Sequence, residues 1–375
     1  MPAESEGTKF TTTRGYNLAL ASNLLYTRTK LLPALVSSQI HEQVEFQALG
    51  SWFVYQKTPD DEPPGHSVDG ASWFTGKLGR VPNSREDIFA DPSLSLRAKG
   101  ALVKFLRFVA NYEEKTEEWE PQKNEPFPDF LTSKFKIVPE LHGPLLALTM
   151  STLPPEQTST GFAIARIANH LRSIGLFGPG FSAVLAKWGG LSELTQVACR
   201  AGAVGGATYV LNKSIESIDD LSTDGGRKLT VQLDGGDLVS TDKLIGSDDQ
   251  FPSSASTHAA STATSPESQP STVSRSISIV SSTLPSLFPP TSEGSSTPTG
   301  AVIFFPAESL ARADDSSTTN TLPVHLLIHS SDTGECPKGQ CKSHTLFSRF
   351  LFARMNQPKT NTYLHCLNNF EDNNL

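Results

Sequence analysis

Strand signals occupy two stretches of this chain, 44–82 and 208–329, and the segment between them, 84–185, reads as helix. A sheet fed from both sides of a helical block implies one β-rich domain interrupted by an inserted helical one. The first strand runs from Val44 to Tyr55, where Val44, Phe46, Ala48, Trp52 and Val54 alternate. The polar stretch 57–72 reads as a loop. Trp73–Pro82 then returns as the second strand of a hairpin with an enlarged tip. Further strands are expected at Thr208–Leu211, Arg227–Leu233, Asp237–Leu244, Ser276–Val280, Ala301–Pro306 and Pro323–His329.

The helical block has a clear period. Leu102, Phe105, Leu106 and Val109 recur at i, i+3, i+4 and i+7, which makes one buried stripe. Ser84–Asp87 offers an N-cap with an acid at N3, and Asp91-Pro92-Ser93 offers another start. Helical patterns continue over Asp129–Lys134 and Leu141–Met150. Ile164, Ile167, Leu171 and Ile174 mark a last helix, and Gly175 is placed to stop it. Near the N-terminus, Leu18, Leu24, Leu25, Leu31, Leu32 and Leu35 suggest one or two short helices, with Pro33 starting or kinking the second.

Composition narrows the function. Lys and Arg number 31 against 39 Asp and Glu, a net charge of -8, which argues against a nucleic-acid binder. There is no apolar run of about 18 residues, the length a bilayer-spanning helix needs, and no apolar signal-peptide core at the N-terminus. Four cysteines are too few for a disulfide framework, so a cytosolic, reducing location is expected. Segment 252–273 is Ser/Thr-rich and is expected to be disordered.

Chemistry-bearing constellations are weak. Cys336 and Cys341, with His344 nearby and His365 and Cys366 further on, resemble half a zinc knuckle, but a turn at Pro337-Lys-Gly accounts for the spacing better. Gly202, Gly205 and Gly206 follow a helix-like run and precede a strand, the reverse of a dinucleotide cradle, so close packing explains them better. No nucleophile elbow, zinc-protease motif or two-carboxylate pair is present. No metal and no cofactor is expected, and no catalytic group.

The segment from Trp188 to Asn212, WGGLSELTQVACRAGAVGGATYVLN, resembles a long block of the superfamily of Rab GDP-dissociation inhibitors and Rab escort proteins. Gly50–Tyr55 with Val81-Pro82 is similar to that family's central hairpin, and Lys104–Asn111 to its first long helix in the helical domain. Val81-Pro-Asn-Ser-Arg85-Glu-Asp-Ile-Phe89, Cys199-Arg200 and Ala147-Leu-Thr-Met-Ser resemble the escort branch, in particular its fungal members.

The resemblance implies an α/β fold of mixed α+β type: an FAD/NAD(P)-binding-like domain with a mixed sheet, interrupted by an all-helical domain. The discontinuous domain would span 14–83 and 186–341, and the helical one 84–185. It implies a non-catalytic accessory that binds Rab GTPases in their GDP form. The accessory would present them to the geranylgeranyltransferase heterodimer, shield the geranylgeranyl lipid and touch membranes transiently on delivery. By the family's motif, Arg14, Glu193, Arg200, Thr208 and Val210 would contact the Rab, and Leu78 and Val81 would line a groove for its C-terminal segment. A GDP-dissociation inhibitor that recycles prenylated Rabs is the second reading, and an FAD-dependent oxidoreductase the third.

Two departures from the family pattern stand out. Its N-terminal Gly-rich βαβ turn and Tyr-Tyr-Gly-Gly motif are absent. Residues 342–375 leave the family pattern too. Cys341-Lys-Ser can be encoded by a splice-donor-like string, so this tail is expected to be unspliced intron sequence read as protein or the product of a misplaced gene model.

Overall fold

The fold is described from a computed structural model covering residues 10–57 except 21, 76–82, 88–89, 91–92, 94–246 except 179, 224 and 225, then 250–252, 273–290, 296–310 and 319–348. The expected hairpin tip, the Ser84–Asp87 cap, the Ser/Thr-rich segment beyond Pro252 and the tail after Ser348 lie outside these residues.

An eight-stranded mixed sheet forms the frame. Its strands are β1 (Leu25–Tyr26), β2 (Phe46–Lys57), β3 (Gly76–Arg80), β4 (Ala183–Ala186), β8 (Val273–Val280), β9 (Gly300–Phe305), β10 (Val324–Ser330) and β11 (Cys341–Ser348), in the order β1-β4-β2-β9-β10-β11-β8. Strand β2 is long enough to serve twice on one edge: Phe46–Leu49 pairs with β4 and Phe53–Lys57 with β3. On its other edge it runs parallel to β9, with an irregularity between Leu49 and Ser51. Every residue of β9 is buried, as its unbroken apolar run GAVIFF requires of a central strand.

Helices of seven or more residues pack on both faces of this sheet. They are α1 (Leu31–Ser37), α2 (Leu96–Ala110), α3 (His142–Thr149), α4 (Thr160–Ser173) and α5 (Leu191–Val204). Ser95 caps α2 by accepting the Ala98 N–H, so the helix begins past the expected Asp91–Ser93 start. Its stripe buries Leu102, Phe105, Phe108 and Val109. Phe105, Phe108, Phe130 and Phe135 meet edge-on or tilted with centroids 5.1–6.2 Å apart. Helix α4 stops as expected: Gly175 takes φ +86°, which glycine adopts without strain.

One core cluster joins α2, α3 and α4 to Trp52, Val54, Phe304 and Leu327 of the sheet, whereas α1 and α5 pack on the other side of β1 and β4, against Leu25, Val184 and Ala186. A second, on the opposite face, contains Phe53, Tyr55, Ile303, Phe305, Leu326 and Ile328. Because the first core is continuous, the helices do not separate from the sheet as a compact body. The chain divides instead into one unit of 1–198 with 272–375, and another of 199–271. The second unit holds the C-terminal turns of α5 and an antiparallel meander of β5 (Ile215–Thr223), β6 (Gly226–Leu233) and β7 (Leu238–Thr241). Gly235 and Gly236, at φ +86° and +88°, make the β6–β7 turn.

Several local expectations differ from the structure. Leu18–Leu25 forms no helix, and β1 begins at Leu25 because Leu25 and Tyr26 pair with Val184 and Ala183. Thr208–Leu211 is exposed irregular chain, since the β-pairing partners of this unit begin only at Ile215. Strand β11 extends the sheet to Ser348, past the expected boundary at 341, pairing with β10 and β8 along its length.

Candidate functional site

Helix α5 carries the block that resembled a Rab-binding surface. Leu194 and Val197 turn inward against Leu25, Leu35, Val44, Val184 and Ala186. The chain enters the helix through Trp188-Gly189-Gly190, where Trp188 and Gly190 have φ +73° and +58°. Gly334 lies so near that a Cβ there would meet the Trp188 ring at 2.4 Å, and Lys187 sits over its other atoms, 4.8 Å from the ring centre. The side chain of Asn17 donates to the Trp188 carbonyl, tying the Arg14 loop to this entry.

The fixed inner face leaves the outer face free. Glu193 is half-buried in the first turn, where a carboxylate favours the helix dipole. Arg200, seven residues on along α5, is exposed. Arg14 lies exposed in a single 3-10 turn, Thr13–Gly15. Among the described residues, none of the three enters an ion pair. Thr208 and Val210 are exposed in the irregular segment after α5, Val210 by 58%. Between them Tyr209 folds back: its hydroxyl would lie 2.4 Å from a Cβ on Gly202, so that glycine is required by close approach.

Leu78 and Val81 do not share a surface. Leu78 packs against the second cluster, with Phe53 and Tyr55. Val81 is 2% exposed in the first, its N–H bonded to the Trp52 carbonyl. Residues three apart across a strand face opposite ways, which is the physical reason.

Val81 instead opens onto a cavity that no sequence signal marked. It has a volume of about 320 Å³ and lies among α2, α3 and α4. Leu102, Leu106, Leu145, Leu148 and Leu171 line it with Val81, and among the described residues Arg107 is its one charged lining residue. Such a cleft suits an apolar ligand and offers a charged headgroup one partner.

The two cysteines weighed as zinc ligands are engaged elsewhere. Cys336 donates to the Gln340 carbonyl and Cys341 to the Thr283 carbonyl. Burial, then the Glu335 charge, pushes the Cys336 thiol up to about 11, so it stays protonated. Glu335 is held down to about 2 against the cost of its own burial by the hydrogen bond and charge of His329 and by Lys342. The described residues contain no helix long and apolar enough to cross a membrane.

With that fold and surface in place, comparison with known proteins defines the class. The profile of the GDP dissociation inhibitor family matches residues 1–315, and the chain belongs to that family. The Rab proteins geranylgeranyltransferase component A of Saccharomyces cerevisiae is 31% identical over 64% of this chain and 36% of its own length. Its counterpart from Candida albicans is 28% identical over 88% of this chain and 46% of its own. The Arabidopsis thaliana Rab escort protein 1 is 30% identical over 62% of this chain and 41% of its own. The chain thus spans less than half the length of these curated relatives. A solved Rab GDI from Plasmodium falciparum superposes with a TM-score of 0.60 at 17% identity, over 96% of this chain and 72% of that one. The shared fold is mixed α/β, of the FAD/NAD(P)-binding type.

Proposed function

We propose that this chain acts as a Rab escort protein. It binds a GDP-loaded Rab GTPase, presents it to the geranylgeranyltransferase heterodimer, and shields the attached lipid until delivery to a membrane. Its role is to hold and orient, with no bond made or broken by its own side chains. The observation that carries this reading is the leucine-lined cleft of the helical block. Each methylene an isoprenoid buries there contributes about 0.8 kcal/mol, so ten buried carbons suffice for ~8 kcal/mol of gross attraction. The relatives named for component A and for Rab escort support the escort branch over a recycling inhibitor.

The partner's protein surface is read by charge. Glu193 and Arg200 each offer an unpaired group to solvent and pair with opposite charges on the Rab, giving register and on-rate. Arg14, Thr208 and Val210 add contacts from their own segments. The expected result for Glu193→Ala with Arg200→Ala is at least about a tenfold loss of affinity for GDP-Rab, near 1.4 kcal/mol. The melting temperature should hold, because such surface changes stay within about 0.5 kcal/mol. Calorimetry with unprenylated Rab and a thermal melt check both; undiminished Rab binding by a folded double variant refutes these contacts. The whole reading is tested by capture of a ternary complex with Rab and transferase. A chain that binds only prenylated Rab and never the transferase is a recycling inhibitor.

A further inference from the structure

Three buried side chains on β10, β11 and the turn between them have no role in the Rab and lipid contacts proposed above. His329 on β10, Glu335 in the turn after it and His344 on β11 each offer one ligand atom, and these atoms all lie within 4.8 Å of one another. Their exposures are 3%, 2% and 2%. The register pairs His329 with Lys342 and Leu327 with His344, so the two imidazoles are diagonal neighbours on one face, with ring centres 5.2 Å apart.

The hydrogen bonds settle which atoms are spare. His329 Nδ1 lies 2.5 Å from Glu335 Oε2, so Nδ1–H donates to the carboxylate and the neutral ring keeps Nε2 as a bare acceptor. Among the described residues, neither His329 Nε2 nor His344 Nε2 has a hydrogen-bond partner. A buried polar atom without a partner loses its hydration and gains nothing in exchange. Two such imidazoles with ring centres 5.2 Å apart, one of them backed by a carboxylate, have the donor set that imidazole-preferring metals use. A carboxylate behind a histidine orients the ring and raises its basicity toward a metal.

We propose that His329 and His344, with Glu335 orienting the first, bind one divalent transition-metal ion of zinc type. The ion joins β10 to β11 and has a structural role. Lys342 sets the strength of the site. Its ammonium donates to Glu335 Oε1 at 2.9 Å and to the Asn17 carbonyl at 2.8 Å. It neutralises the carboxylate when the metal is absent, repels an incoming dication, and holds back the oxygen that would be a third ligand. Removing it therefore strengthens metal binding, whereas a lysine with only a packing role has no such effect.

The test uses the full chain, stripped with chelator, and zinc chloride as the probe. Calorimetry is expected to give one ion per chain, with a melting temperature that rises as zinc saturates. His329→Ala and His344→Ala are each expected to weaken zinc at least about tenfold. Lys342→Met is expected to tighten it by about tenfold or more and to enlarge the thermal shift. Cobalt(II) provides a readout that needs no variant: visible ligand-field bands should grow to one equivalent and vanish on adding zinc. Absence of heat, of thermal shift and of cobalt bands in the unmodified chain overturns the proposal. So does zinc binding that persists undiminished in folded His329→Ala/His344→Ala protein.

Discussion

Acidification from pH 7 to about pH 4.5 is expected to lower the unfolding free energy of this protein by about 5 kcal/mol. The effect comes from two histidines buried neutral where the helices meet the sheet. His170 of α4 stands edge-on to Trp52 of β2, with centroids 5.0 Å apart and planes at 87°, and to Tyr26 of β1 at 5.8 Å. Burial alone lowers its pKa from 6.5 to about 3, and its Nδ1 has no partner among the described residues. His325 of β10 donates from Nε2 to the Ser151 carbonyl at 2.8 Å; burial outweighs that bond and lowers its pKa to about 4. Both folded pKa values lie below the unfolded ones, so the unfolded chain binds the extra protons. Stability is complete above pH 6.5 and falls as pH drops toward the folded values, by about 1.4 kcal/mol per pH unit for each group. His344, lowered to about 3 by burial first and then by His329 and Lys342, acts in the same direction. Glu335 adds to the loss below pH 4.5, because its stabilisation disappears as pH falls toward its folded value of about 2. A net stability of only about 5–15 kcal/mol is typical, so most of it is at stake. Denaturant midpoints from pH 7 to 4.5 measure the slope. His170→Leu should flatten it by one proton, and a flat profile in the unsubstituted chain excludes the mechanism.

The parts of this fold that were legible in the sequence are those whose burial is one-sided or complete. The stripe of Leu102, Phe105, Leu106 and Val109 announced α2, and the apolar run 301–305 announced β9. Strand β11 was hidden because its residues contradict its position. Lys342, Ser343, His344 and Thr345 are all buried. Nothing local to Lys342 reveals the partner that makes this tolerable, Glu335, which reaches it across the strand connection. The same geometry hid the His329–Glu335–His344 cluster, whose members stand six and nine residues apart and meet only through strand pairing. Leu78 and Val81 show a different failure. Their odd spacing already placed them on opposite faces of the hairpin, and the period of two outranks a shared family groove. The leucine-lined cleft had no signature at all, since leucines that line a cavity and leucines that fill a core have the same period on a helix.

That indistinguishability also sets the most direct test of the cleft. Leu106 lines it from α2 and is only partly buried, so a larger side chain there has space to grow into. Leu106→Trp is expected to fill part of the 320 Å³ without opening a void elsewhere. Overpacking a closed core costs about 1–3 kcal/mol, and the cost here should fall at the low end because the added atoms replace empty space. The lipid has no such escape. Excluding five or six methylenes at about 0.8 kcal/mol each removes roughly 4–5 kcal/mol, about a thousandfold or more in affinity for an isoprenoid. Unprenylated Rab should bind as before, because the substitution lies in the helical block and the charges assigned to Rab recognition lie on α5 and in the Thr13–Gly15 turn. A fluorescent geranylgeranyl peptide read alongside calorimetry with unprenylated Rab separates the two. Equal loss of both ligands means the variant has disturbed the fold, which a melting curve would reveal. Unchanged lipid affinity in a folded Leu106→Trp chain means the isoprenoid lies elsewhere, and the leucine-lined cleft is then a packing defect between α2, α3 and α4.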